Sequence, residues 1–586
     1  MLMFLALLLG CQSSPPGTPD GPPVVATPGA WPLSVTDVAL EAGFQDTVFG
    51  HHQRGRATLG ADYDGDGFTD VYLGNPGDTS YILRNTSGET GRLSFEPGPV
   101  LAEGALAWGG ATGDLDNDGD VDVFIAAGGN EAVEHDQLLE NEGAWSFVNR
   151  SRTAGIEGPR WIDQAPAPWT STGANLVDAD ADGWLDIFVN SFWVLGSSDP
   201  EVWRAKNLLW RNQGDGTFTQ VGQDVGFTTE LKTMNSTWLD FDLDGDFDLF
   251  ENNFTADNHF FVNQLAETGT LSFVDATAEV SLAGTDLRYP ERSFSSAAAD
   301  FNRDGYEDLV AFVRPYDPEE SPHRSGHILF LNVEGRGFVD LTEETGLNQP
   351  FVNWDGRARG DGVMGSQVGD LNLDGIPDVF VGNGTPANGT RNALYLSTGE
   401  LREIEVDGVS LAVPQFRNAD HLVDVPSVEP EGINAAPYPY RTHGSLILDF
   451  DQDGIPELAV NNGGPGRMSD IVREPNRLFT FEYEVEPSWW HLTLVGDGVR
   501  VNRSAIGARV SVTVERDHDG ARWMQRRWIH GGSGFAANEG LELLFGLGDA
   551  DRIVEVEVVW PDGVTERLGS QALRKRVVWT YGEHPE

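Results

Sequence analysis

Seven times the chain writes an acidic loop, Asp-x-Asp/Asn-x-Asp-Gly-x-x-Asp/Glu, and follows it with a short apolar run. The copies begin at Asp62, Asp114, Asp178, Asp240, Asp300, Asp370 and Asp449. Each crowds three to five carboxylates into nine residues. That many like charges repel one another unless a cation lies among them. Oxygen donors at alternate positions suit a hard ion, Ca²⁺ above others.

Positions 1, 3, 5 and 9 are the expected ligands. They are Asp62, Asp64, Asp66 and Asp70 in the first loop, then Asp114, Asp116, Asp118 and Asp122, then Asp178, Asp180, Asp182 and Asp186. The fourth has Asp240, Asp242, Asp244 and Asp248, the fifth Asp300, Asn302, Asp304 and Asp308, and the sixth Asp370, Asn372, Asp374 and Asp378. The seventh has Asp449, Asp451, Asp453 and Glu457, whose longer side chain is expected to reach an ion differently. Glycine at position 6 permits a sharp turn, and the position 7 carbonyl is a further expected ligand. An EF-hand needs a bidentate Glu at position 12 between two helices. Here position 12 is Leu73, Ile125, Val189, Glu251, Ala311, Val381 or Val460, within runs such as Val123-Phe124-Ile125 that signal strands. The expectation is up to seven structural Ca²⁺ ions, each held in a strand-to-strand loop.

Successive loops start 52 to 79 residues apart, room for one four-stranded propeller blade plus variable connections. A second element, Tyr81–Asn85, Leu138–Asn141, Leu208–Asn212 and Ile328–Asn332, recurs between loops. The stretch Leu33–Asp37 has the pattern that leads into later blades, and none follows Arg477–Phe481. The N-terminal stretch is therefore expected to complete the last blade, which removes exposed sheet edges. The fold class is all-β, a seven-bladed β-propeller over 32–486 followed by a small β-sandwich over 487–586. The sandwich strands are expected at His491–Val495, Ala508–Val514, Leu541–Phe545 and Val554–Val559.

The chain carries 92 acidic and 38 basic residues in 586, a net charge of −54. Seven Ca²⁺ would reduce this only to −40, which argues against nucleic acid and anionic lipid as partners. Nearly all of the charge, −52, falls in residues 1–490. In the C-terminal domain Arg526, Arg527 and Arg574-Lys575-Arg576 could meet the acidic repeats, but the simpler expectation is a solvated basic face.

Residues 1–11 contain an apolar stretch, Met1–Gly10, too short to span a bilayer, and end in Leu8-Leu9-Gly10-Cys11. This resembles the lipobox of bacterial lipoproteins, although no Lys or Arg precedes the apolar stretch. It implies lipidation at Cys11, the only cysteine, with 12–31 as a Pro/Gly/Ser-rich tether. The expected location is outside the cytoplasm, anchored to the bacterial outer membrane or cell surface. Membrane contact is through the lipid alone.

The loops resemble the repeats of FG-GAP/VCBS propellers, the type at the head of integrin α chains. Asn502-Arg503-Ser504-Ala505-Ile506-Gly507, Phe545-Gly546-Leu547-Gly548-Asp549 and Trp560-Pro561-Asp562-Gly563 resemble the ASPIC/UnbV domain. The pairing is similar to the cartilage acidic protein family and its bacterial relatives. It implies an extracellular calcium-loaded propeller, without an agreed activity.

Three functions fit. The first is a surface binding or adhesion module for a protein or glycan. The second is an extracellular hydrolase or lyase, with His51, His52 and Arg54, His443 and His530 as candidates. No nucleophile elbow or His-Glu-x-x-His set supports it. The third is an assembly partner of another exported protein. Arg359-Gly360-Asp361 is read as an accidental tripeptide, and Trp108, Trp169 and Trp238 as blade packing.

Overall fold

Each acidic loop closes a hairpin between a strand of small or β-branched residues and the apolar run after it. The structure, a computed structural model, describes residues 32–45, 55–76, 79–102, 104–128, 135–156, 161–162, 165–166, 170–192, 205–254, 256–289, 293–313, 327–347, 363–383, 392–423, 441–463, 475–532, 537–538, 540–583 and 585. Cys11 and the tether, His51, His52, Arg54, Trp169 and Arg359–Asp361 lie outside them.

In blade 1 the strands Thr58–Ala61, Asp70–Leu73, Ser80–Asn85 and Phe95–Leu101 pair in that order, all antiparallel. The same meander repeats from Ala107–Gly113, Ser171–Val177, Thr233–Leu239, Ser293–Ala299 and Val363–Gly369. Blade 7 has Thr442–Leu448, Glu457–Asn462 and Arg477–Tyr483, and its fourth strand is Pro32–Asp37. The expected closure is therefore present, with Val35 opposite Phe481 and Asp37 opposite Phe479.

First strands of successive blades pack on one another around the centre, and that of blade 7 packs on that of blade 1. Small residues make this approach possible: a Cβ at Gly444 would lie 2.1 Å from Thr58 Oγ1. Apolar side chains fill the spaces between blades. Trp238 meets Phe188 and Phe273 edge to face at 5.3 and 5.7 Å, and Trp108 is likewise buried. Among the described residues no helix is long and apolar enough to cross a membrane.

The C-terminal domain is two facing sheets. One orders Glu542–Gly548, Ser488–Val495 and Arg576–Thr580; the other orders Arg522–Trp528, Arg509–Glu515, Arg552–Val559 and Thr565–Leu568. Trp490, Trp560 and Trp579 fill the space between them. Arg522–Trp528, Thr565–Leu568 and Arg576–Thr580 were not among the expected strands. Polar and basic residues dominate the first two and hide their alternation. The sandwich shares one apolar core with blades 2 and 3. A short strand, Ala537–Asn538, adds in parallel to the inner edge of blade 1, pairing with Thr58 and Leu59. Nearby, the Leu176 amide of blade 3 donates to the Gly531 carbonyl at 2.8 Å. The C-terminal domain thus sends a segment into the centre of the ring.

His327 of blade 5 is fully buried against Phe312 and Tyr395. Burial pushes its pKa down to about 3. The fold keeps it neutral, whereas the unfolded chain takes up a proton below about pH 6.5. Stability is therefore lost as pH falls through about 6.5, by roughly 2 kcal/mol at pH 5. Denaturant midpoints at about pH 7.5 and about pH 5, in saturating calcium, should fall less in His327→Phe than in the unaltered chain. An equal fall in both would refute the assignment.

Candidate metal centres

All seven acidic loops close in one register. The residue before position 1 pairs with position 9: Ala61 with Asp70, Gly113 with Asp122, Val177 with Asp186, Leu239 with Asp248, Ala299 with Asp308, Gly369 with Asp378 and Leu448 with Glu457. Two residues per loop take the left-handed conformation. Position 6 is glycine throughout, with φ between 88° at Gly305 and 106° at Gly119. Position 4 is glycine only in the first loop; Asn117, Ala181, Leu243, Arg303, Leu373 and Gln452 take φ of 54° to 64° there. A left-handed leucine costs about 1–2 kcal/mol, so the loop interactions must impose it.

Those interactions are backbone amides donating to carboxylates. The position 6 amide donates to the position 1 carboxylate in every loop, for example Gly67 to Asp62 at 2.8 Å and Gly375 to Asp370 at 2.9 Å. The position 7 amide donates to position 5 in every loop, at 2.8 to 3.1 Å. Position 9 is buried and works as a staple: Asp70 accepts the Tyr63 amide at 3.0 Å and the Asn85 amide at 2.7 Å. Glu457 accepts the Phe450 amide at 3.0 Å, the same contact in spite of its extra methylene.

The recurrent Asn of the third strand turns out to tie blades together. Asn85 Nδ2 donates to the Phe450 carbonyl in the loop of blade 7, Asn141 to Tyr63, Asn212 to Leu115, Asn263 to Ala179 and Asn332 to Phe241. Each bond runs to position 2 of the preceding loop. Blades 6 and 7 lack the Asn, blade 6 having Ser397 in its place, and in blade 7 the Tyr483 hydroxyl donates to Leu371 instead. Asn332 also donates to the Glu307 carbonyl at 3.0 Å. Asn332→Ala should leave two buried carbonyls without a donor and cost about 2–4 kcal/mol, read from the urea midpoint. A change within about 0.5 kcal/mol would mean that the tie is idle.

The structure gathers carboxylate oxygens within 4.8 Å of one another from Asp62, Asp64 and Asp66, from Asp114, Asp116 and Asp122, from Asp178, Asp180 and Asp182, and from Asp240, Asp242 and Asp244. Burial, then neighbouring charge, pushes these groups up: Asp62 to about 6, Asp114 to about 7, Asp449 to about 8. The buried Oδ1 atoms of Asp180, Asp370 and Asp449 have no hydrogen-bond partner. An all-oxygen donor set with buried unpartnered oxygens fits a hard divalent ion. Asp246 and Glu267 form a further acidic group with Asp244 that the repeat pattern does not reveal.

The arginines overturn one expectation. Arg526, Arg527 and Arg576 do not form a solvated face; they reach the acidic loops, and Arg509 does the same. Arg509 lies 3.5 Å from Asp240, Arg527 3.1 Å from Asp370 and Arg576 3.4 Å from Asp449. Arg526 donates to the Gly305 carbonyl of loop 5 at 2.5 Å. Partners this distant in sequence leave no local signal. Blades 1 and 3 have their own arginines, Arg84 on Asp64 at 2.9 Å and Arg211 on Asp180. His530 lies 2.8 Å from Glu307, and His443 is buried beside Arg56 and Arg441, which with burial hold its pKa well below the usual range.

Comparison with known proteins matches this architecture. The FG-GAP-like repeat profile matches residues 62–125 and 178–251, and the ASPIC and UnbV profile residues 498–586. The chain carries FG-GAP-like repeats and an ASPIC/UnbV domain. Cartilage acidic protein 1 of Mus musculus is 28% identical over 316 residues, 54% of this chain and 40% of that protein. The Xenopus tropicalis protein is 27% identical over 320 residues, again 54% and 40%. The match thus spans less than half the length of these relatives. Among solved structures, BBS1N in complex with ARL6DN aligns over 76% of this chain and 97% of that one, at 9% identity and a TM-score of 0.38. The ASPIC/UnbV domain is the part that carries the four loop-facing arginines.

Proposed function

We propose that the chain is an exported, calcium-stabilised propeller that works as a binding or adhesion platform for a protein or glycan at the cell surface, held there by a lipid on Cys11. The observation that carries the calcium reading is the single register of all seven loops, with buried oxygens left without donors. The ASPIC/UnbV domain covers the side on which first strands turn into second strands. Ligand contact is therefore assigned to the opposite side, where second strands leave for third strands and fourth strands for the next blade. Connections there differ most in length between blades, and variable loops on a rigid scaffold are the usual place for recognition.

The test is a glycan and surface-protein array probed with the calcium-loaded chain and again in chelator. A ligand captured in calcium and lost in chelator is expected. A reproducible turnover of a glycan or ester substrate, with no captured ligand, would replace this reading with the enzymatic one.

A further inference from the structure

We propose that the ASPIC/UnbV domain sets the cation affinity of blades 4 to 7, supplying arginines that share the loop carboxylates with the ion and weaken its hold. The inference rests on the calcium reading above and goes beyond it: six of the seven loops fall into two classes according to where their counter-charge comes from, and loop 2, with Glu140 just ahead of its tying Asn141, belongs to neither.

The residue that precedes the tying Asn, or its equivalent, on the third strand decides the class. It is Arg84 in blade 1 and Arg211 in blade 3, and both reach positions 3 and 5 of their own loop. In blades 4 to 7 the same place holds Val262, Leu331, Leu396 and Thr480, and no local cation is offered there. Each of these four loops instead meets one arginine of the ASPIC/UnbV domain, and loop 6 also meets Arg303 of the blade 5 loop.

The contact differs in kind. In loops 6 and 7 the arginine lies on the position 1 carboxylate, on the same Oδ2 that accepts the Gly375 or Gly454 amide. The Oδ1 of Asp370 and of Asp449 is buried without a partner. An ion held by Oδ1 would share its carboxylate with the guanidinium on Oδ2, a pairing of like charges. Coulomb repulsion between them in a half-buried site changes affinity by about tenfold or more. The coupling is reciprocal: whatever the arginine takes from ion affinity, the ion takes from domain docking.

Terbium luminescence can read single loops. Trp489 sits on position 6 of loop 7, where a Cβ on Gly454 would lie 1.9 Å from its ring. Trp184 is itself position 7 of loop 3. Titrating the whole chain with Tb³⁺, and subtracting the same titration of Trp489→Phe or Trp184→Phe, isolates each loop. Arg576→Gln should tighten loop 7 by about tenfold and leave loop 3 unmoved, while Arg576→Lys stays near the unaltered chain. The unmoved loop 3 also shows that the ring is intact. Arg527→Gln, read by calorimetry, should move one site into the tighter class. Loop 7 affinity that is unchanged or weaker in Arg576→Gln overturns the inference and leaves the calcium reading standing. No sensitised emission from either tryptophan overturns both.

Discussion

Chelation of calcium is expected to lower the melting temperature of this chain by about 10 °C. Extracellular modules hold Ca²⁺ with dissociation constants of about 0.1–1 mM. At ~1 mM free ion and ~0.1 mM affinity each site adds roughly 1.4 kcal/mol by mass action. Seven such sites approach 10 kcal/mol, comparable to the whole stability of a domain. The loops need that contribution because burial opposes the charge on their carboxylates, Asp70 and Asp449 both being pushed to about 8. Scanning calorimetry in calcium and in EGTA measures the difference, and magnesium should restore little of it, since it demands tighter octahedral geometry. An unchanged melting curve would remove calcium from the structural account.

Removal of Pro32–Asp37 is expected to be nearly as damaging. Without that strand Arg477–Tyr483 becomes an open edge, and open edges recruit other chains. The deletion also breaks the ion pair of Asp37 with Arg477 and the bond from Ser34 to Glu482 at 2.9 Å. A chain beginning at Val38 should melt about 10 °C below one beginning at Pro32 and self-associate on size exclusion. A peptide spanning residues 32–45 should restore the monomer. A monomeric truncated chain with unaltered melting would show that the ring does not need its last strand.

Much of this was legible because the repeat is chemical as well as geometric. The spacing of Asp62, Asp64, Asp66 and Asp70 recurs at every blade, so loop, following strand and blade number come from one pattern. Ring closure was legible too, since Leu33–Asp37 matches a segment that the last period lacks. What stayed hidden depends on partners far apart in the chain. Asn141 reads as the end of a strand until the Tyr63 carbonyl is placed beside it. Arg527 reads as solvated until Asp370, 157 residues earlier, meets it. Position 4 was missed for a different reason: Leu243 and Leu373 are poor left-handed residues, and only the amide–carboxylate bonds around them enforce that turn.

The two ends of the folded chain set an order on its assembly. Residues 32–37 have no partner until residues 477–483 have been made, and the inner edge of blade 1 stays bare until residues 537–538 arrive. Blades can form one by one as hairpins, and the circle can shut once residues 477–483 emerge, but the inner edge of blade 1 stays bare behind a ribosome or a translocon that still holds residues 537–538. Such a molecule completes its fold only after release, and until then it depends on whatever shields the first blade from its neighbours.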